Sequence, residues 1–330
     1  MQIIKSSLLV DNPLVSVVIP SYNRVDTVGE TINSIIRQKC NFEFEIVIGD
    51  DCSTDHSREV LLQYQAKYPQ NIVLLFHETN VGLGANWAIC AMYCRGRYLA
   101  NCDNDDFWHN QNKLQLQVDF LASHPEYGVV HSDYRELNRK NGRIVEVVFS
   151  DFVQKKPIQK SFFDGKFKVC NATVMYKKEL IDKYVNLNDF IEHQFTLQDW
   201  IIWVIVSRHA DFYCLPVSTA TVGIENESIT RPKDYDTVKL RFQKERECCI
   251  YLASLFPQDL YYDEQKYTDY IHSILLNLAF RQMDYSKAKE FGNRLPYNSI
   301  KVFCSQYKLL FLLFALCKKM KVISSSGFDG

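Results

Sequence analysis

Asp103, Asp105 and Asp106 place three carboxylates within four residues, directly after residues 97–101, which read as a strand. If strand geometry carries into this acidic tip, alternate side chains share a face, so Asp103 and Asp105 point the same way. Two convergent carboxylates are oxygen ligands of the kind Mg2+ or Mn2+ accepts, with other positions left to water and phosphate oxygens. Held together and ionised without a cation, they would repel. A solvated acidic turn capping the helix that starts near Asn112 would use the same residue types, and a short Asp-x-Asp pattern alone does not separate the two. The rest of the chain does.

The first half alternates apolar runs with amphipathic stretches. Residues 15–19, 45–49, 72–76 and 97–101 read as strands, the first closed by Pro20. Between them, Val28, Ile32, Ile35 and Ile36, then Val60, Leu61 and Tyr64, then Trp87, Ala91 and Cys94 recur at helical spacing. Ser53 or Thr54 is placed to cap the second of these helices, and Asp55 could serve the same purpose. Leu114, Val118 and Leu121 mark a fourth helix, and Val129 and Val130 a further strand. Alternating β and α units predict an α/β fold with a mostly parallel sheet covered by helices on both faces. Ligands of such sheets bind beyond the carboxyl ends of the strands. Tyr22, Asp51 and Asp103 each lie just past a different strand end, so they should meet in one crevice.

Beyond residue 140 the pattern loosens. Residues 172–176 read as a strand and 200–206 as a helix apolar all round, hence buried. After about 235 it becomes helical, at 240–255, 267–280 and 286–294. A soft boundary near 232, at Arg231 and Pro232, separates a 1–232 domain from a C-terminal helical region, 233–330.

Composition narrows the classes. The 330 residues are 47% hydrophobic and 23% charged, ample for a core, so disorder is excluded. A net charge of −1 gives no electrostatic case for a nucleic-acid partner. Eleven cysteines are an odd number without a Cys-x-x-Cys pair, and free thiols in a reducing cytoplasm are the simplest account. His77, His109 and His131 have no metal-ligand spacing. The N-terminus lacks the apolar core of a signal peptide. No stretch reaches the roughly 18 apolar residues of a membrane span. The longest, 309–317, lies between Lys301 and Lys308 on one side and Lys318, Lys319 and Lys321 on the other. It suits an interfacial helix on an anionic membrane surface, or equally a terminal core helix with a basic end.

Taken together, five motifs resemble family 2 inverting glycosyltransferases of the GT-A fold, of the kind that builds bacterial polysaccharide and lipopolysaccharide. They are VSVVIPSYNR (15–24), IVIGDDCSTD (46–55), Asn80 to Gly82 with Asn86, DNDDFW (103–108) with Lys113 and Leu114, and QDW (198–200) with Trp203. The resemblance covers roughly 13–232. It implies a nucleotide-diphosphate sugar, a UDP-sugar, over the carboxyl end of the sheet. Asp51 matches the carboxylate that recognises the base, and Pro20, Tyr22 and Arg24 match the loop framing the donor nucleotide. Asp103 matches the ribose- or metal-proximal carboxylate, and Asp105 the principal ligand of Mn2+ or Mg2+. Asp106 matches a position beside the metal or the sugar on the acceptor side. Asp199 matches the catalytic base, with Trp200 lining the acceptor site. Without the resemblance, Asp199 would pass for an acid complementing a helix N-terminus.

One departure matters. Relatives often carry a His in the stretch matching residues 223–231, and none is present here. Glu225, or Arg231 with Lys233, is left for the lid over the diphosphate. The implied activity is metal-dependent transfer of a hexosyl or N-acetylhexosaminyl group, with inversion, to a saccharide or lipid-linked glycan at the cytoplasmic side of the membrane. Two other classes stay open: a sugar nucleotidyltransferase, disfavoured because residues 20–24 contain no glycine-rich loop, and a non-catalytic carbohydrate- or nucleotide-binding protein on the same fold. Gly82 and Gly84 are too few for a dinucleotide fingerprint.

Overall fold

The computed structural model of the chain describes residues 1–149, 169–224, 234–296 and 299–319. It divides into two compact units, Met1–Glu225 and Asn226–Gly330. The boundary expected at 232 falls within 225–233, outside the described residues.

In the first unit, β1 (Gln2–Ile4) precedes an alternating series: β2 (Val15–Ser21), α1 (Val28–Ile36), β3 (Phe44–Asp50), α2 (Ser57–Lys67), β4 (Ile72–Phe76), α3 (Leu83–Tyr93) and β5 (Tyr98–Asn101). Every residue of β2, β3, β4 and β5 is buried, as continuous apolar runs in a sheet covered on both faces require. These four strands pair in parallel in the order β5-β2-β3-β4, so their carboxyl ends lie along one edge. Tyr22, Asp51 and the acidic loop after Asn101 all leave the sheet from that edge.

The second half of the unit is α4 (Lys113–Ser123), β6 (Tyr127–Asn138), β7 (Ile144–Val147), a 3-10 turn (Asn171–Thr173), β8 (Met175–Lys177), α5 (Lys178–Tyr184), α6 (Leu187–His193), α7 (Gln198–Val206) and β9 (Asp211–Ile224). Antiparallel strands flank the parallel core: β1 on β4, and β8 between β5 and β6. The nine-stranded sheet is therefore mixed, parallel where the βα alternation is regular.

Two local expectations change, and one long strand was not anticipated. Residues 172–176 begin as the 3-10 turn, closed by Thr173 Oγ1 on the Cys170 carbonyl at 2.8 Å, and become strand only at Met175. The helix α2 is capped by neither Ser53 nor Thr54. Ser53 Oγ accepts from Asn23 N–H at 2.9 Å, and Asp55 Oδ1 takes over at the helix by accepting from Ser57 N–H at 3.1 Å. Strand β9 was hidden by Pro216, a residue that argues against a long strand. The fold accommodates it in a bulge: Ser132 pairs with Leu215 and Asp133 with Ser218, so Pro216 drops out of the ladder.

The second unit is helical: α8 (Tyr235–Leu255), α9 (Glu264–Gln282), α10 (Tyr285–Gly292), α11 (Ile300–Gln306) and α12 (Lys308–Lys319). Asp234, Asp263, Asp284 and Ser299 cap the first four with side-chain oxygens. Phe242, Phe280, Phe291, Phe311 and Phe314 meet in its core. Helix α12 buries Phe311, Phe314 and Ala315, while Leu309 is 71% and Leu313 52% exposed. Among the described residues, no helix is long and apolar enough to cross a membrane.

Candidate active site

The acidic loop is held on several sides, largely by side chains that bond its backbone carbonyls. Thr27 Oγ1 donates to the Asn104 carbonyl at 2.8 Å and Thr31 Oγ1 to the Asp106 carbonyl at 2.6 Å, both from α1. Asn104 Nδ2 reaches Ser21 Oγ at the end of β2 at 3.0 Å. Arg139 Nη2 donates to the Asp105 carbonyl at 2.6 Å and pairs with Glu30 at 3.1 Å. Phe107 exchanges two backbone bonds with Thr221 on β9.

Its three carboxylates face different partners. Asp106 is buried and Oδ1 accepts from Gly223 N–H at 2.9 Å, anchoring the end of β9. Burial first, then Asp103 and Asp105, push its pKa well above the ordinary carboxylate value. Asp105 pairs with Arg24 Nε at 3.3 Å. Asp103 takes Asn171 Nδ2 at 3.1 and 3.3 Å on its two oxygens. Its pKa is pushed up to about 7, chiefly by burial, next by Asp105, and further by Asp199. That last contribution brings two distant motifs to one place: Asp199, at the first turn of α7, lies close enough for its charge to be felt at Asp103.

Asp199 itself is half-buried, and its Oδ1 accepts from Trp200 N–H at 2.8 Å. Burial raises its pKa against that hydrogen bond. Trp200 is also half-buried beside it. On the other flank, Asp51 is almost fully buried, and its two oxygens accept from Val81 N–H at 2.6 Å and Gly82 N–H at 3.0 Å. Asn80 Nδ2 adds a bond to the Asp51 carbonyl at 3.2 Å. The Asn80 to Gly82 motif is thus the strap that closes on Asp51. Gly82 is required there, since its φ of 88° favours a residue without Cβ. Pro20 lies within β2, buried, while Tyr22 is 46% exposed beyond the strand end. Asn23 Oδ1 accepts from Thr54 N–H at 2.8 Å, tying the Tyr22–Arg24 loop to the Asp51–Asp55 loop.

Pro20, Tyr22, Arg24, Asp51, Asp103, Asp105, Asp106, Asp199 and Trp200 all belong to elements gathered at this edge. Glu225, Arg231 and Lys233 lie outside the described residues. Asn101, Arg139 and Asn171 are site residues that the motifs did not flag. A buried asparagine closing an apolar strand was the available signal for Asn101. Asn171 and Arg139 sit in irregular stretches and gave none.

The residues suit a hard cation. The described residues contain no group of three His, Cys, Asp or Glu side chains able to hold a metal. A closed protein cage is therefore absent among them, but two carboxylates sharing a cation with diphosphate oxygens and water is how Mg2+ is commonly bound. Burial first, and then the charges of Asp105 and Asp199, raise the proton affinity of Asp103, a setting in which a cation would favour the ionised carboxylates.

A family model described as Glycosyl transferase family 2 matches residues 16–185. The putative teichuronic acid biosynthesis glycosyltransferase TuaG of Bacillus subtilis is 38% identical over 109 residues, 33% of this chain and 42% of that protein. The UDP-Glc:alpha-D-GlcNAc-diphosphoundecaprenol beta-1,3-glucosyltransferase WfgD of Escherichia coli is 29% identical over 131 residues, 40% of this chain and 49% of that one. The chain spans between about a fifth and two thirds of the curated relatives it matches, 42% and 49% for these two. Among solved structures, S. aureus TarS 1-349 in complex with UDP-GlcNAc superimposes over 93% of this chain and 92% of its own, with a TM-score of 0.56 at 17% identity, a likeness of fold.

Proposed function

The chain belongs to glycosyl transferase family 2, and from that premise we propose that it moves a sugar from a UDP-sugar to a hydroxyl of a saccharide or lipid-linked glycan, inverting the anomeric configuration. Asp199 is the base in this scheme. The acceptor oxygen attacks the anomeric carbon, its proton passes to Asp199, and the bond from that carbon to the diphosphate breaks with its electron pair leaving on the nucleotide. Asp103 and Asp105 would hold Mn2+ or Mg2+, which when bound offsets the charge on the departing diphosphate. Arg24, now paired with Asp105, is positioned to turn toward the diphosphate once that carboxylate has another cation to face. Tyr22 and Asp51 frame the nucleoside, Trp200 and Asp106 the acceptor side, and Glu225, Arg231 and Lys233 the lid.

What supports this reading is that the charge of Asp199, at the first turn of α7, is felt at Asp103, which brings the proposed base near the carboxylate proposed to face the diphosphate. A UDP-bound fold neighbour and a UDP-Glc-using relative support the choice of donor nucleotide. The diphosphoundecaprenol in that relative's name supports a lipid-linked acceptor. The proposal places the enzyme on the cytoplasmic membrane surface through α11 and α12, where Phe303, Tyr307, Leu309 and Leu313 are exposed beside Lys308. Thermal unfolding with UDP and Mn2+ tests the nucleotide assignment. UDP with Mn2+ should stabilise the protein more than either alone, and no response to UDP under any condition would overturn it.

A further inference from the structure

Asn171 offers its amide to Asp103, and the question is why it presents nitrogen and not oxygen. The answer runs back through a buried chain. Trp87 Nε1 can only donate, and it points at Asn101 Oδ1 at 3.4 Å. Tyr176 Oη donates to the same oxygen at 3.1 Å. Asn101 must therefore turn its Nδ2 outward, and it donates to Asn171 Oδ1 at 2.7 Å. With its oxygen taken, Asn171 has only N–H left for Asp103, and gives it to both carboxylate oxygens. Trp87, Tyr176 and Asn101 are each at most 2% exposed, so water does not compete for these bonds.

The turn that carries Asn171 is fixed by a second buried set. Trp108 Nε1 donates to the Ala172 carbonyl at 2.8 Å, and Gln117 Nε2 to the Thr173 carbonyl at 2.7 Å. Lys113, fully buried, joins the two: its Nζ donates to Gln117 Oε1 at 2.7 Å and lies 4.2 Å from the Trp108 ring centroid. A donor on Gln117 Oε1 forces its Nε2 toward the turn, by the same logic as at Asn101. Trp108 and Lys113 of the sequence motif thus act on the 3-10 turn and touch no ligand position.

We infer that Asn171 is a positioning residue for Asp103, its polarity set by the Trp87–Asn101 relay and its place by the Lys113, Trp108 and Gln117 brace. It fixes the plane of the Asp103 carboxylate and leaves that group's outer lone pairs for the cation and diphosphate. This role rests on the proposed function for its consequence, but the relay itself does not. Groups that orient metal-binding carboxylates typically contribute 10–100-fold to metal affinity.

Two measurements on the full chain separate the possibilities. In calorimetry, Asn171→Leu and Asn171→Ala should each weaken UDP binding in the presence of Mn2+ by about 10–100-fold, leave metal-free UDP affinity unchanged, and add nothing to Asp103→Ala. Normal affinity, equal loss with and without Mn2+, or full additivity with Asp103→Ala would overturn the inference. In NMR, the Asn171 side-chain amide should shift strongly in Asp103→Ala and in Asn101→Leu, but little in Asp105→Ala. An unmoved amide in the first two variants would remove the relay. If the wild type showed no Mn2+-dependent UDP binding, the functional proposal would fall, and the amide shifts would still decide whether the relay exists.

Discussion

Each aspartate named for this site already holds a group of the protein. Asp51 spends one lone pair of each oxygen on the Val81 and Gly82 amides, and Asp199 spends one on Trp200. Those structural duties and the proposed ligand duties coexist because each oxygen has a further lone pair. Asp103 makes the electrostatics testable. Its folded pKa is raised from 3.8 to about 7, by burial, Asp105 and Asp199 against the Asn171 bond. A raised folded pKa contributes stability that is complete below 3.8 and lost as pH climbs through about 7. A cation needs the ionised form, so its affinity should move the other way. Mn2+-dependent UDP affinity is expected to rise about tenfold per pH unit as pH approaches 7 and level off above it. Calorimetry from pH 5.5 to 8.5 checks this, and a flat profile would remove Asp103 as a cation ligand. The carboxylates were legible in the sequence because strand ends concentrate ligands. Asn171 was not, because its role depends on partners far along the chain.

At the level of elements, the parallel strands and their helices follow from apolar periodicity alone. Strand β9 did not, since Pro216 mimics a strand breaker until a bulge removes it from the ladder. The 3-10 turn at 171–173 was equally hidden, because β-branched Thr173 and Val174 read as strand. Close packing explains one motif glycine. A Cβ on Gly49 would run into the Asn86 amide and the Cys90 thiol of α3, both fully buried. Asn86 meanwhile donates to the Gly49 carbonyl at 2.8 Å and faces His77. Gly49→Ala should therefore cost about 1–3 kcal/mol by overpacking, read in urea unfolding. Unchanged stability would show that α3 lifts off the sheet more easily than its burial implies.

Across the whole molecule, the sequence suggested a 1–232 domain and a helical region beyond it, with the boundary at residues outside those described, and the chain divides into two compact units, Met1–Glu225 and Asn226–Gly330. What the apolar run 309–317 does was ambiguous because one helix can bury a stripe and expose another, as α12 does. Leu309→Glu with Leu313→Glu alters only exposed positions. The double variant should keep its unfolding temperature and lose flotation with anionic vesicles, while equal flotation would free the C-terminal unit of any membrane role. The central claim is sugar transfer by single displacement, and slow donor hydrolysis without acceptor reads it directly. UDP-sugars with an α-linkage are incubated with enzyme and Mn2+, and the released sugar is followed by proton NMR before mutarotation. The β-anomer should appear first, and Asp199→Asn should slow its release by about 10²–10⁴-fold while still binding UDP. The α-anomer appearing first, or release undiminished by Asp199→Asn, would contradict the account.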